Sequence, residues 1–456
     1  MPAPITADLG AFVAALRFPA IPPAAIEIAS LGFTDCIGCM IAGRVEPAPL
    51  LLEQVLQPSG AGATLYFSGR QASAPEAALI NGTAAHALDY DDASLRGHPS
   101  VPMVSAILAE AEVLGASGQD MLTAYVAGYE VWADLVLREP GQYHMKGLHP
   151  TGIFGPIAAA AACASLRRLD AATAAQAIAL GASQSAGLMS NFGSMTKPFH
   201  AGRAAQAGVM AARLAAAGFT ASPDAIEHPQ GFLSAYSPRG EADVEAPVQA
   251  GRAWRILEYG LSIKKYPMCF CTHKPIDALL DLQAAEAIPL SEIESVTVRM
   301  SGRNARVLRN HRPQTGLAAK FSIEFAMACG LLAGRVGLQE VRDEFVATPE
   351  IQALMTKVRV DPNPREDPLT GYAPSDSVVI RTTMGREVES QPVLLARGAW
   401  GAPLTEADIW TKFSGCLIVG GYRGDGRALF DALQHLERLV EPQALMRLSA
   451  RDRVTA

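Results

Sequence analysis

Six segments between residues 77 and 217 share one pattern, in which alanine and glycine recur at helical spacing with few bulky side chains. They cover residues 77–87, 103–114, 121–137, 151–165, 171–186 and 201–217. Apolar residues repeated at this period predict helices, and small contact residues allow neighbouring helices to lie close together. Aromatic residues make up only 6% of the chain, so large rings cannot fill most of the core. The pattern predicts a large domain of closely packed helices.

The pattern of the sequence changes after residue 254. Stretches that alternate in polarity and are rich in β-branched residues appear there, together with two further helical patterns. The stretches lie at residues 296–300, 358–360 and 378–382. Alternation with period two predicts half-buried strands. Helical patterns return at residues 405–418, 427–440 and 442–448. We therefore predict a mainly α fold, in which residues 1–254 and 393–456 form a large all-helical domain and residues 255–392 form an inserted, smaller α+β domain.

The charge pattern limits the classes of partner. The formal net charge is −7 without a long run of charge, whereas a nucleic-acid-binding domain carries a basic face. The N-terminal segment has no basic region before an apolar core, unlike a secretory signal, and the alanine-rich run at 157–165 is too short to span a bilayer. We predict a cytoplasmic protein with no nucleic-acid and no membrane partner. Seven scattered cysteines fit reduced thiols better than a disulfide framework.

A polar cluster interrupts the helical region between residues 81 and 105. It contains His86, Asp89, Asp91, Asp92 and His98, in a loop predicted between two buried helices. Catalytic groups are concentrated on loops that a rigid scaffold positions, and a carboxylate beside an imidazole can bring its pKa toward the working pH. The structural alternative is an Asp-rich helix cap with a surface histidine, because aspartate is common at caps.

Three more polar clusters lie at the starts of small-residue helices or at the predicted domain junction. They are YHMKGLHPTG with His149 and Thr151, MTKPFHAGR with Lys197, His200 and Arg203, and IKKYPMCFCTH with Lys264, Tyr266 and Cys269. Free amides at a helix N-terminus suit an anion such as a carboxylate. Each cluster alone also has a structural interpretation, as a helix entry or a solvated loop. Together they suit binding of a polycarboxylate and proton transfer at the carbon next to a carboxylate.

Two cysteine motifs raise the question of a metal site. Cys36 and Cys39 form a CxxC, and Cys269, Cys271 and His273 form a short CxCxH. A structural zinc site needs further ligands at comparable spacing, and the sequence offers no second pair. We predict that Cys36 and Cys39 are buried thiols on an apolar helix and that the protein has no metal site.

The order of these clusters resembles that of the MmgE/PrpD family. The resemblance rests on NGTAAHALDYDD with GHPS, HPTGIFGPIAAAAA, SMTKPFHAGRAAQAG and IKKYPMCFCTH, in the same order over nearly the whole chain. It implies a large all-helical domain with a smaller α+β domain, a homodimer with the active site between the domains, and no metal or organic cofactor. It also implies that Asp89, His98, His149, Lys197 and Lys264 are active-site residues.

Two positions depart from the pattern of the family's decarboxylases. Cys269 stands where they have a histidine, and Phe325 stands where they have a tyrosine. The dehydratase branch resembles this chain less around Tyr266. These departures favour the epimerase branch, similar to iminodisuccinate epimerase.

The resulting hypothesis is epimerisation of a small di- or tricarboxylate by cofactor-independent proton abstraction next to a carboxylate. Lys197 and Lys264 would stabilise the enediolate-like charge, His98 or His149 would take the proton with Asp89 tuning it, and Cys269 would be a second base. The residues predicted to bind substrate are His86, Thr151, His200, Arg203 and Tyr266. Two alternatives remain open: a dehydratase or decarboxylase of a citrate-like acid, such as 2-methylcitrate or cis-aconitate, and a non-catalytic helical binding protein.

Overall fold

The computed structural model describes residues 2–60, 62–66, 68–363, 365, 373–442 and 445. Over these residues the fold is mainly α, as predicted. The first part of the chain forms α1 (Ile5–Ala15), α2 (Pro23–Gly43), α3 (Pro47–Leu56), β1 (Ala63–Thr64), β2 (Gln71–Ala72), α4 (Ala74–Ala87), α5 (Ser100–Leu114), α6 (Gly118–Leu137), α7 (Pro150–Leu166), α8 (Ala171–Ala182), α9 (Thr196–Ala216), α10 (Phe232–Tyr236) and α11 (Arg255–Tyr259). Each of the six predicted helices is present, with ends that differ by a few residues.

The second part of the chain contains the larger sheet. Its elements are α12 (His273–Glu286), β3 (Ile293–Met300), α13 (Gly302–Val307), α14 (Gly316–Ala319), α15 (Ile323–Ala333), α16 (Asp343–Val346), α17 (Pro349–Met355), β4 (Val358–Pro362), β5 (Ser377–Thr382), β6 (Glu387–Glu389), α18 (Glu406–Val419) and α19 (Gly426–Gln434). The predicted helix at 442–448 lies largely outside the described residues.

Small side chains set the spacing of the helices that carry the site. Helices α4, α5, α7 and α9 pack against one another, and the alanines from Ala158 to Ala162 in α7 are fully buried. At Gly202 in α9, a Cβ atom would lie 2.2 Å from the carbonyl oxygen of Leu79 in α4. A larger residue there would separate α4 from α9, so the small-residue pattern determines how closely their ends approach.

Helix α2 is the core helix of this bundle. It is long and apolar enough to cross a membrane, but 78% of its most apolar window is buried inside the protein. It packs against α4 and α18, and Cys36 and Cys39 are free, buried thiols on it, as predicted. Its apolar surface is therefore used in packing within the fold.

The four-stranded sheet has the order β4-β3-β5-β6. Strands β3 and β4 are parallel, with Val296 opposite Val358, and β3 and β5 are antiparallel, with Val298 opposite Val378. The buried side chains of the sheet join those of α12, α15 and α17 in one apolar cluster that begins at Tyr266. The β-branched stretches of the sequence are thus strands, as predicted.

The buried apolar residues form two large clusters that correspond to two parts of the chain. The first contains residues of α1 to α11 together with Phe413, Leu417 and Phe430 from α18 and α19. The second contains residues between Tyr266 and Ile380. Because α18 and α19 share the first cluster, we still propose that residues 393–456 belong to the helical domain. Ile256, Leu261 and Ile263 share that cluster too, so we propose that the α+β domain begins close to Tyr266 instead of at residue 255.

Candidate active site

A cavity of about 420 Å³ lies between the helical bundle and the sheet-containing part of the chain. Its wall combines the α4–α5 loop, the N-terminal ends of α7 and α9, residues 262–271, the start of α12, and α13. All six residues predicted to be catalytic contribute to this wall. They are Asp89, His98, His149, Lys197, Lys264 and Cys269. Helix-capping residues with unrelated roles would instead be spread over separate helix ends.

Asp89 is the centre of the ionic cluster at this wall. Its Oδ1 accepts hydrogen bonds from Nζ of Lys197 at 2.8 Å and from Nζ of Lys264 at 2.7 Å. Burial opposes the charged form of Asp89, but the two lysines outweigh it and hold the pKa of this carboxyl below its usual range. Burial likewise opposes the charge of Lys264, whose pKa is nevertheless raised because of Asp89. The cluster therefore presents two lysines and one ionised carboxylate.

His86 connects this cluster to a second carboxylate, Asp91. Nζ of Lys197 donates to Nε2 of His86 at 2.8 Å, and Nδ1 of His86 lies 2.8 Å from Oδ1 of Asp91. Because Nε2 accepts, the proton of the neutral ring is on Nδ1 and is donated to Asp91. Complete burial lowers the pKa of His86 to about 3. His86 is thus neutral. It lies behind the wall and fixes the direction of the Lys197 amine.

His98 lines the cavity, and contacts of one ring nitrogen fix its orientation. Its Nδ1 lies 2.7 Å from the carbonyl oxygen of Asp92 and 3.0 Å from Oδ2 of Asp91. A carbonyl oxygen only accepts, so Nδ1 carries the proton and Nε2 has the free lone pair. Nε2 lies 3.8 Å from Oδ1 of Asp89. Burial, with both cavity lysines nearby, lowers the pKa of His98, and the neutral ring is suited to act as a base.

His149 supplies a second imidazole at the N-terminal end of α7. Its Nδ1 lies 3.1 Å from Nδ1 of His200, and its buried Nε2 has no hydrogen-bond partner among the described residues. Burial and the nearby Lys197 hold the pKa of His149 well below its usual range. A buried ring nitrogen without a protein partner is costly unless a ligand or water completes its hydrogen bond. His149 therefore has an unused hydrogen-bonding position at the cavity.

Cys269 and Cys271 both line the cavity as free thiols. A hydrogen bond from Cys271 lowers the pKa of Cys269 against the effect of burial, and Lys264 acts in the same direction. The pKa of Cys271 is raised well above its usual range, first because of its bond to Cys269. The pair thus favours the thiolate on Cys269, the form that acts as base or nucleophile.

The cavity carries an excess of positive charge. Its wall includes five Lys or Arg side chains and one carboxylate: Arg96, Lys197, Lys264, Lys274 and Arg303, with Asp89. Lys274 lies 3.3 Å from Asp376, at the edge of the sheet-containing part. This balance suits a substrate with two or three carboxylate groups.

Four groups near Asp89 have the types of atom that bind metals. The ligand atoms of His86, Asp89, Asp91 and His98 lie within 4.8 Å of one another. However, Asp89 is already bound by two lysines, and Nδ1 of His86 donates its proton to Asp91. A divalent cation would lie beside two positive side chains and would displace these bonds. The arrangement does not fit a resident metal.

The five residues predicted to bind substrate are located elsewhere, since the cavity wall includes none of them. His86 and His200 lie behind Lys197 and His149, and Oγ1 of Thr151 accepts from the backbone amide of His98 at 3.2 Å. These three support catalytic candidates from behind. The prediction for the remaining two is corrected. Arg203 is exposed and pairs with Gln206, and the Tyr266 hydroxyl donates to Asp277 at 2.6 Å.

The significance given to Phe325 also requires correction. Phe325 is fully buried in the apolar cluster of the sheet-containing part and does not line the cavity. Its lack of a hydroxyl therefore does not favour an epimerase. The aromatic residue that this segment contributes to the wall is Phe321.

The sequence did not single out several wall residues. They include Arg96, His144, Phe192, Lys274, Arg303 and Leu395. His144 lies within one of the polar clusters of the sequence and Lys274 directly follows another, so both could have been predicted as site residues. Arg303 follows the end of β3 by three residues, but only the packing of α13 against the cavity brings it to the site.

Comparison with known proteins places these features in a family. The model of the MmgE/PrpD N-terminal domain matches residues 7–245, and that of the MmgE/PrpD C-terminal domain matches residues 266–423. The chain belongs to the MmgE/PrpD family. The boundary between the two models lies close to the cavity, so both family domains contribute to its wall.

Curated relatives of this MmgE/PrpD protein include cis-aconitate decarboxylases. The mouse enzyme is 25% identical over 388 residues, which cover 82% of this chain and 78% of the relative. The human enzyme is 26% identical over 351 residues, covering 74% and 71%. The Aspergillus terreus enzyme is 25% identical over 384 residues, covering 78% and 77%. The chain therefore has lyases among its relatives, and these match it over most of its length.

Proposed function

We propose that this protein is a cofactor-independent lyase that acts on a small, citrate-like di- or tricarboxylate, with decarboxylation as its reaction. The observation that carries this proposal is the wall of the cavity, where Lys197 and Lys264 share Asp89 beside two neutral imidazoles. The similarity to cis-aconitate decarboxylases supports a lyase over the epimerase favoured by the sequence.

The cationic side chains of the cavity wall would bind the carboxylate groups of the substrate. The lysines on Asp89 retain N–H groups for a substrate carboxylate, and Lys274 and Arg303 offer positive charge on the opposite part of the wall. Because the cavity is partly closed to water, each ion pair with the substrate is stronger than at the surface. A dianion or trianion is bound in preference to a monocarboxylate, and its carboxylates determine which carbon faces His98.

The chemistry then requires charge stabilisation and one proton. When the bond from carbon to a carboxylate breaks, CO₂ leaves and its electron pair remains on carbon, conjugated with a neighbouring carboxylate as an enediolate-like anion. Lys197 and Lys264 stabilise this negative charge. A proton taken up from solvent by His98 or His149 is delivered to carbon, so that one proton is consumed for each CO₂ released.

Epimerisation is the second candidate, and Cys269 is the observation that favours it. Its thiol lines the same cavity as His98 and has a lowered pKa. Two bases that reach one carbon from different sides would remove a proton and return it with inverted configuration. No carbon–carbon bond breaks in this reaction, and no net proton is consumed.

A single experiment in D₂O separates these candidates. The protein is incubated with cis-aconitate, citrate and iminodisuccinate, and the acids are followed by ¹H and ¹³C NMR. We expect loss of CO₂ from an unsaturated tricarboxylate and one deuterium at a carbon of the product. Deuterium in recovered iminodisuccinate without CO₂ or an alkene would establish the epimerase. Absence of turnover and exchange with all acids would support the non-catalytic binding protein.

A further inference from the structure

Three buried lysines converge on the backbone of the turn that carries Asp89, here called the Asp89 turn (residues 87–90). Nζ of Lys320 donates to the carbonyl oxygen of Ala87 at 3.0 Å, and Nζ of Lys264 to that of Asp89 at 2.7 Å. Nζ of Lys412 donates to the carbonyl oxygen of Tyr90 at 2.6 Å. Three of the four carbonyl groups in the turn thus accept from a different lysine.

The conformation of the turn explains why it needs these bonds. Helix α4 ends at Ala87, so its last carbonyl groups have no partner within the helix. Asp89 has a φ of 50°, in the left-handed region that a residue with a side chain rarely adopts. Such strain persists only where the surroundings enforce it. The three lysines supply such surroundings at the backbone of the turn.

The three lysines differ in their access to substrate. Lys264 lines the cavity, whereas Lys320 and Lys412 do not. Lys320 follows α14, in the sheet-containing part of the chain, and Lys412 comes from α18 near the C-terminus. Lys412 also pairs with Asp35 at 2.6 Å and lies 4.1 Å from the centre of the Tyr90 ring. Two segments that are distant along the chain, the end of α14 and α18, therefore contact the same turn.

We propose that Lys320 and Lys412 are positioning residues, which hold the Asp89 turn in its strained conformation and thereby keep Asp89 between Lys197 and Lys264. They act through backbone carbonyl groups and touch no substrate. The expected loss of turnover rests on the proposed function. The expected change in the geometry of the turn does not, and it can be tested separately.

The test uses Lys320→Met, which removes the amine and preserves much of the apolar chain. We expect kcat to fall about 10- to 100-fold, because a displacement of about 1 Å at a catalytic group has this effect. KM should change by less than about threefold, since the substrate-facing lysines remain. Lys320→Arg should restore most of kcat. Lys357→Met is the matched control, because Lys357 donates to the carbonyl oxygen of Ile293, away from the cavity; its kcat should equal that of the wild type.

A crystal structure of Lys320→Met tests the geometry even if no substrate is found. We expect Asp89 to leave its positive φ and the contact between Lys264 Nζ and Asp89 Oδ1 to be lost. An unchanged turn, or a wild-type kcat, would overturn the proposal. If Lys320→Met does not fold, Asp35→Asn/Lys412→Met removes both charges of the buried pair together, and the same two outcomes apply to it.

Discussion

The two ends of α9 each bind a buried carboxylate that a second cation also holds. Lys197, in the first turn, binds Asp89 together with Lys264. Arg213, near the last turn, binds Glu110 together with Arg167, which lies 2.8 Å from Glu110. The charge pattern is the same in both clusters, but their surroundings differ.

The Glu110 cluster, which consists of Glu110, Arg167 and Arg213, connects helices. Glu110 belongs to α5, Arg167 follows the end of α7 and Arg213 belongs to α9, so the three side chains connect three packed helices. All three lie on regular helices or their ends, and arginines hold a carboxylate in a fixed geometry. Within the described part of the chain this cluster has no histidine partner, and it lies outside the wall of the cavity.

The Asp89 cluster has the properties that the Glu110 cluster lacks. Asp89 lies on a strained turn at a cavity wall and is linked to neutral imidazoles through Lys197 and His86. Two cations around one buried carboxylate therefore do not define a site by themselves. Access to a cavity and contact with titratable groups distinguish the proposed active-site cluster from the Glu110 cluster.

The largest expected effect is that of Lys197→Ala on turnover. Loss of this amine removes one of the two groups that stabilise negative charge on the substrate, so kcat/KM should fall about 10²- to 10³-fold or more. The free energy of unfolding should also fall, because Lys197 is buried, but the protein should still fold, since Lys264 continues to neutralise Asp89. The measurement is turnover together with thermal unfolding. Activity that falls only in proportion to the folded fraction would assign Lys197 a structural role.

The opposite effect is expected at the other end of the same helix. Arg213→Met leaves Glu110 with one cation, and the free energy of unfolding should fall by about 1–3 kcal/mol, less than for a fully buried pair because Arg213 is partly exposed. The kcat of the folded fraction should match that of the wild type. Chemical denaturation and turnover at low temperature provide the two values. A greater effect on kcat than on stability would remove the distinction between the two clusters.

Cys269→Ser distinguishes the two candidate reactions within the Asp89 cluster. For the proposed lyase, Cys269 only contributes to the wall, and kcat should change less than about tenfold. For an epimerase with Cys269 as a base, the loss should reach at least about 10²-fold. Deuterium exchange into recovered substrate, measured beside kcat, provides the comparison.

A further expected effect concerns the pH dependence of stability. The pKa of His86 is about 3 in the folded protein and about 6.5 in the unfolded chain. Between these values the unfolded chain binds the extra proton, so stability is present above pH 6.5 and falls as the pH decreases toward 3. His86→Asn should reduce this slope by up to about 1.4 kcal/mol per pH unit. Denaturation curves at several pH values measure it, and an unchanged slope would contradict a neutral His86.

The sequence predicted elements and cluster members better than it predicted side-chain roles. Helical spacing and β-branched alternation are local signals, and they identified α4 to α9 and β3 to β5. Polar residues in an apolar background also marked Asp89, His98 and Lys197. The position of Arg203 could not be inferred in the same way, because successive side chains on a helix are rotated by about 100°, so a solvent-facing residue can lie close in sequence to one that faces the cavity.

The roles of His86 and Phe325 depended on long-range packing. His86 precedes Asp89 by only three residues, yet it contacts Lys197 at the start of α9 and does not line the cavity. Phe321 lies just before α15 and Phe325 lies in its first turn, and of these two only Phe321 lines the cavity. Arg303 and Lys274 reach the wall because the sheet-containing part packs against the bundle. Contacts between residues so distant along the chain leave no periodic signal in one sequence.

The most direct test is the binding of tricarballylate, a saturated tricarboxylate that has no hydroxyl group to lose and no double bond. Isothermal titration calorimetry compares the wild type, Lys197→Met and Arg213→Met. We expect wild-type and Arg213→Met proteins to bind it equally and Lys197→Met to bind it at least about tenfold more weakly, a difference of about 1.4 kcal/mol. Equal affinity for all three proteins, or no binding by the wild type, would contradict the assignment of the Asp89 cluster as the site for a polycarboxylate.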